Sequence, residues 1–241
     1  MSQEFMMARR GVMGVLGGAV VAVLGGCRIF GGGSGYRFRM TVEVETPQGL
    51  KTGSSVYQVT AGYRPDLQPG GKAREWAARG EAVAVDLPGG KTLFALLKTD
   101  AIHGDLVGMS MKALDPAFKN DIPECAKRIA GGDGTRTQAD VLPSDYPMLV
   151  TFRDINDPKS VTLVKANDLA ASFGPGVQLK RIAVEVTDDA VTTGIEEKLG
   201  WLGDVGKTRS TLIPNPPRLL KDASEIQLLD PSAFGTELKL R

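Results

Sequence analysis

Arg37-Phe38-Arg39-Met40-Thr41-Val42-Glu43-Val44-Glu45 alternates strictly between polar and apolar side chains. Successive side chains of a β-strand point to opposite faces. Phe38, Met40, Val42 and Val44 therefore share one side, and the charged residues share the other. This predicts a half-buried strand with one face in water. Pro47-Gln48-Gly49 turns the chain, and Val56, Tyr57 and Val59 within 55–60 predict the returning strand.

The same pattern recurs outward from this hairpin. Residues 82–87 and 92–97 flank Pro88-Gly89-Gly90, a second hairpin. Residues 148–152 and 161–164 make a third, joined through 154–159. A further strand over 181–186 turns Ile182, Val184 and Val186 inward. Helical signals are short. Ile122, Cys125, Ala126 and Ile129 form one apolar face, with Pro123 in the first turn and Gly131 at the end. Asn167-Asp168 can cap a helix over 169–173, and Thr193 with Glu196 has the spacing of a capping box closed by Gly200. Residues 73–79 predict a short helix carrying Trp76, and Trp201 is expected in the core. The expected fold is α+β and β-rich, mainly antiparallel hairpins with a few short helices. Residues 36–241 can form one domain, or two that meet at a glycine-rich seam near 131–145. Pro214, Pro216 and Pro217 predict an extended stretch near the end.

Glycine is the compositional outlier, at 30 of 241 residues, and ten of those fall within residues 1–35. Arg9 and Arg10 precede 17 uncharged residues, 11–27, rich in Val, Leu, Ala and Met. A cationic start before a short apolar run is the order of a secretory signal. At 1.5 Å per residue the run spans about 25 Å, short of a ~30 Å hydrocarbon core. Glu4 before the arginines is unusual in a signal, which leaves Met1, Met6 and Met7 as alternative starts.

Leu24-Gly25-Gly26-Cys27 resembles the lipobox of bacterial lipoproteins. The resemblance implies that residues 1–26 are removed, that Cys27 is lipidated and that residues 27–35 tether the domain to a membrane. It implies palmitate-type acyl chains on Cys27, and several chains anchor far more firmly than one. Arg28 in place of Asp after the cysteine resembles lipoproteins sent to the outer membrane, with the domain in the periplasm. The alternative is an uncleaved inner-membrane anchor with Arg9 and Arg10 on the cytoplasmic side. Residues 37–49 together with Gly53-Ser54-Ser55-Val56 also resemble the start of an uncharacterised proteobacterial family, which implies no catalytic residues.

Charge excludes some functions. The chain carries +1, and removing Arg9, Arg10 and Glu4 with the signal leaves the exported part neutral. That gives no cationic field for nucleic acid or for anionic lipid. One His and two Cys exclude zinc-finger and disulfide-scaffold folds. With Cys27 lipidated, Cys125 has no partner and is expected as a buried apolar side chain.

Candidate chemistry is sparse. Any His-dependent nucleophile must use His103, the one histidine, with Asp100 or Asp105 orienting the ring and Ser110 attacking. Gly108-Met109-Ser110-Met111-Lys112 is no nucleophile elbow, because its final residue is Lys. Asp154, Asn156 and Asp157 carry oxygen ligands suited to Ca²⁺, yet the same residues are what a turn before Pro158 requires. Gly206-Lys207-Thr208 has the ending of a phosphate loop, but Trp201 stands where its first glycine should be. No cofactor is expected. The expectation is a lipid-anchored envelope protein, non-enzymatic, that works by contact with another envelope protein. The alternatives are a tethered hydrolase using His103, or a small-ligand-binding lipoprotein with an apolar cavity.

Overall fold

The structure is a computed structural model, which describes residues 34–65, 72–99, 105–205, 211–214 and 224–236. Cys27, His103, Gly206-Lys207-Thr208, Pro216 and Pro217 lie outside these residues.

The alternating stretch is β1 (Ser34–Thr46), antiparallel to β2 (Gly49–Pro65) along its whole length, from Ser34 opposite Ala61 to Thr46 opposite Gly49. Phe38, Met40, Val42 and Val44 are fully buried, as their period-2 spacing requires. β2 continues as a hairpin into β3 (Lys72–Arg79). This overturns the helix expected over 73–79. Ala, Arg and Glu favour helix intrinsically, but the free edge of β2 offers eight residues a hydrogen-bonded ladder, and that tertiary contact wins.

β4 (Val83–Leu87), β5 (Lys91–Thr99), β7 (Pro147–Phe152) and β8 (Val161–Val164) form a second antiparallel sheet in that order. β6 (Gln138–Asp140) and β9 (Gln178–Val186) complete the first, which runs β3-β2-β1-β9-β6. The fold is thus α+β and β-rich, as the hairpin signals predict.

Three layers result. One core lies between the two sheets and under helices α1 (Leu106–Leu114) and α2 (Ile122–Gly131). It takes Met40 and Val42 from β1, Val83 and Val85 from β4, Leu93 from β5 and Leu149 from β7. The second core lies on the opposite face of the second sheet, where Phe94, Leu96, Val150 and Phe152 meet Leu199, Leu202, Leu229 and Phe234 from the C-terminal part. With both faces covered, all six residues of β7 are buried. The first core includes residues on both sides of the 131–145 segment.

Local chemistry sets the ends of the helices. Asp121 caps α2, and Gly132 closes it in the left-handed region at φ 72°. Asp168 accepts from the Ala171 amide at 3.2 Å at the start of α3 (Ala170–Phe173). The helix expected from Thr193 to Gly200 is reduced to one 3₁₀ turn, Ile195–Glu197, entered through Gly194 at φ 112°. α4 (Leu202–Val205) follows it. Among the described residues no helix is long and apolar enough to cross a membrane.

Candidate functional site

Asp105 and Ser110 both belong to α1, which the sequence pattern did not reveal. Asp105 is its N-cap: Oδ1 accepts from the Gly108 amide at 2.7 Å and Oδ2 from Trp76 Nε1 at 3.2 Å. Both oxygens are thus already engaged by the fold. Ser110 is fully buried. Its Oγ donates to the Val107 carbonyl at 2.9 Å and accepts from the Tyr36 hydroxyl at 2.8 Å. A nucleophile needs an approach path and a nearby base. Ser110 has core packing and a phenol, so its role as attacking group is corrected to a structural one.

The turn at 154–160 is built by its own carboxylates. Asp154 Oδ1 accepts from the Asn156 amide at 2.9 Å, and Asp157 Oδ1 accepts from the Lys159 amide at 3.0 Å. Ser160 Oγ donates to the carbonyls of Asp154 and Asp157. Asp154 Oδ1 and Asp157 Oδ1 thus face backbone amides, which is the turn chemistry these residues favour. Among the described residues no three His, Cys, Asp or Glu side chains converge on a metal position.

Cys125 is fully buried, as its place on the apolar face of α2 predicts. Burial, then the neighbouring Asp115 carboxylate, pushes its thiol far above the ordinary range, so it is no thiolate nucleophile. Asp115 is itself buried. Its Oδ2 receives Nε of Arg128 at 3.1 Å and Nη2 of the same guanidinium, while Oδ1 accepts from the Ala117 amide at 2.9 Å. Burial alone would raise this carboxyl, but the paired guanidinium and the amide hold it below the usual range.

Two polar features escaped the sequence. The first is Glu81, only 4% exposed between β3 and β4. Its two oxygens accept from the amides of Gly194 and Ile195 at 2.9 and 2.8 Å. Burial pushes its carboxyl up, Glu196 and Glu197 add to the push, and the two amides oppose it. Around it opens a cleft of about 250 Å³, lined in part by Ser55, Thr192, Gly194 and Lys198. The segment after β9 forms its wall. That segment is tied down by Arg37 and Arg39 at 188–189, by Thr192 against the Val56 backbone, and by Lys198 on Asp86 at 2.8 Å. A glutamate in a short polar loop carries no sequence signal for such a role.

The second is the arm made by the end of β2 and the start of β3. Tyr63 is 46% and Trp76 43% exposed, and Trp76 lines an open cleft of about 430 Å³ together with Arg64, Arg74 and Glu75. The arm leans on the helices: the Tyr63 hydroxyl donates to Asp121 Oδ1 at 2.8 Å and Arg74 donates to the Asn120 carbonyl at 2.9 Å. Aromatic and arginine side chains of this kind concentrate binding energy at protein interfaces. Both clefts open to solvent and carry charged linings, unlike the closed apolar cavity that a ligand carrier requires.

No known protein family, curated protein or solved structure matches the chain.

Proposed function

We propose that this protein is a lipid-anchored envelope protein, held at the outer membrane through Cys27, whose β-rich domain acts in the periplasm by contact with another envelope protein. The observation that carries the reading is an ordered series: Arg9-Arg10, an uncharged apolar run, Leu24-Gly25-Gly26-Cys27, and a glycine-rich tether that leads into β1 at Ser34. Six residues, 28–33, separate Cys27 from Ser34, which makes seven Cα–Cα steps. Fully extended they reach about 25 Å, so an acylated Cys27 would hold the sheet close to the lipid headgroups.

The exposed arm supports action by contact. Ser34 pairs with Ala61, and Ala61 pairs with Trp76, so Tyr63, Arg64, Arg74 and Trp76 stand at the end of the sheet from which the tether leaves. The hydrolase alternative draws no support from Asp105 or Ser110, while Asp100 and His103 lie outside the described residues. Ser110 is inside the core, and both carboxylate oxygens of Asp105 hold the fold.

The test is expression of the full chain and its Cys27→Ala variant in an exporting bacterial host. The expected mature wild type begins at Cys27, carries acyl mass and fractionates with the outer membrane. The variant stays unprocessed or leaves that fraction. Unchanged processing and membrane association in the variant overturn the anchor. Loss of biological effect in His103→Ala, at unchanged stability, would favour the hydrolase.

A further inference from the structure

The register of β2 and β3 puts Arg74 opposite Tyr63 and Trp76 opposite Ala61. These residues share the face of the sheet that carries Val59 and Ala61 into the first core. The core face therefore runs on into solvent along the arm. Its polar ends are already fixed there. Trp76 donates Nε1 to Asp105 Oδ2 at 3.2 Å, and the Tyr63 hydroxyl donates to Asp121 Oδ1 at 2.8 Å. Each aspartate is also the N-cap of a helix, Asp105 of α1 and Asp121 of α2. Arg74 is held through its Nη1 on the Asn120 carbonyl at 2.9 Å. Two helix starts thus hold the aromatic and guanidinium groups in place while both rings stay nearly half exposed. A side chain fixed before binding loses little entropy when a partner arrives.

Charge decides what such a surface takes. The open cleft on the arm brings together two guanidinium groups, Arg64 and Arg74, the Trp76 indole and one carboxylate, Glu75. Arg64 and Glu75 meet at 3.9 Å, the outer limit of an ion pair, and 64% of the Arg64 side chain is exposed. A pair so loose and so wet contributes little, so a carboxylate from outside replaces Glu75 on Arg64 at small cost. The planar guanidinium fork matches a carboxylate with two parallel hydrogen bonds. The indole beside it offers an apolar surface to the residue next to that carboxylate. A multiply charged phosphate surface fits less well, because Glu75 stands in the cleft and Asp66 and Glu75 oppose Arg64, Lys72 and Arg74 within 62–76.

We propose that this cleft binds an acidic peptide segment of the partner protein, with a Glu or Asp carboxylate on Arg64 and Arg74 and a neighbouring apolar side chain on the Trp76 ring. The proposal rests on the contact reading above and names the chemistry of the partner. A weak site is sufficient. A short flexible tether presents the arm to a partner in the same membrane at an effective concentration on the order of millimolar.

The test is titration of the isotope-labelled full chain with the capped peptide acetyl-Leu-Glu-Leu-amide, followed at the indole N–H of Trp76. Trp201 is the internal reference, since its Nε1 bonds the Ile155 carbonyl and its ring packs against the second core. The expected result is a saturable shift at Trp76 and none at Trp201, with Kd on the order of millimolar that weakens with added salt. Acetyl-Leu-Gln-Leu-amide should bind about ten-fold more weakly, and Arg64→Gln should weaken the acidic peptide by a similar factor. Arg64 makes no contact with the helices among its described interactions, so this variant keeps the fold. Equal binding of the two peptides, an unchanged Kd in Arg64→Gln, or no saturable shift at Trp76 overturns the proposal. So does a Trp76 shift produced by phosphatidylglycerol vesicles and not by the peptide, which would place lipid on the arm. Peptide binding needs no acyl chain, so Cys27→Ala should bind as the wild type does. A failed anchor and a failed cleft are therefore separate results.

Discussion

The Tyr36 hydroxyl donates to Ser110 Oγ at 2.8 Å, joining the first strand of the sheet to helix α1 inside the core. Burial pushes the Tyr36 phenol far above its ordinary range, so it remains a neutral donor at every working pH. Ser110 Oγ in turn donates a hydrogen bond to the Val107 carbonyl at 2.9 Å, which completes a short buried chain of hydrogen bonds.

Ser110→Ala leaves the Tyr36 hydroxyl without an acceptor in a dry site. The expected cost is about 1–2 kcal/mol of unfolding free energy, read from denaturant midpoints at unchanged slope. Tyr36→Phe together with Ser110→Ala should recover part of that loss, because both polar partners are then gone. A serine-directed fluorophosphonate should leave Ser110 unlabelled in the folded chain. Labelling there would return it to the list of nucleophiles.

At Gly53 the backbone of β2 lies close against the backbone of β4 in the second sheet. A Cβ on it would lie 2.2 Å from the Ala84 carbonyl oxygen, which is backbone of β4 and cannot turn aside. Gly53→Ala is therefore expected to push β4 off β2 at a cost of about 3 kcal/mol, at the upper end of ordinary overpacking. Gly49→Ala is the comparison: its Cβ would meet nothing within 4 Å, and only the positive φ of 99° is strained. Thermal unfolding of the two variants checks the order, and an equal loss would mean that the sheets part easily at this crossing.

What could be read from the sequence follows which elements have one wet face. β1, β4 and β9 alternate because one side of each is wetter than the other, so period 2 is visible. β5 and β7 give alternate residues to two cores, read as continuous apolar runs and are marked instead by the turns at 88–90 and 154–159. α1 was invisible for the opposite reason. Leu106, Val107, Met109, Ser110, Met111, Ala113 and Leu114 are all buried, so no polar face marks a helical period. β3 misled because Ala, Arg and Glu favour helix in isolation, and only the open edge of β2 decides otherwise. For the candidate site, the caps and turns at Asp105, Asp154 and Asp157 use the side chains that chemistry would also use. Spacing alone cannot separate those roles, whereas the positions of their oxygens can.

Asp115 and Arg128 hold α2 to the end of α1, with the Asp115 side chain 1% and the Arg128 side chain 28% exposed. Because the folded pKa of Asp115 is lowered, its stabilising effect is present above the ordinary carboxylate pKa and is lost as pH falls through the folded value. Asp115→Asn keeps the volume and removes the charge, and it should cost about 2 kcal/mol at neutral pH. The gap between wild type and variant should narrow in acid. A gap that stays constant down to pH values well below the ordinary pKa would mean that the ion pair contributes nothing.

Glu81 carries the opposite sign. Its folded pKa is raised, so the folded state holds the proton more tightly, and wild-type stability falls as pH rises from the ordinary glutamate value, about 4.3, through the raised one. Glu81→Gln does not titrate. It also turns an amide group toward one of the two donors, Gly194 N or Ile195 N, and so loses one of the bonds that pin the segment after β9. That loss should cost about 1–3 kcal/mol. The deficit of the variant should therefore be largest at acid pH and shrink as pH rises across the window, the reverse of the Asp115 result. Amide exchange should place the loosening at 192–198, where the chain depends on Glu81, and leave the β1–β2 hairpin untouched. A deficit that grows with pH would show that the two amides outweigh burial and hold Glu81 ionised.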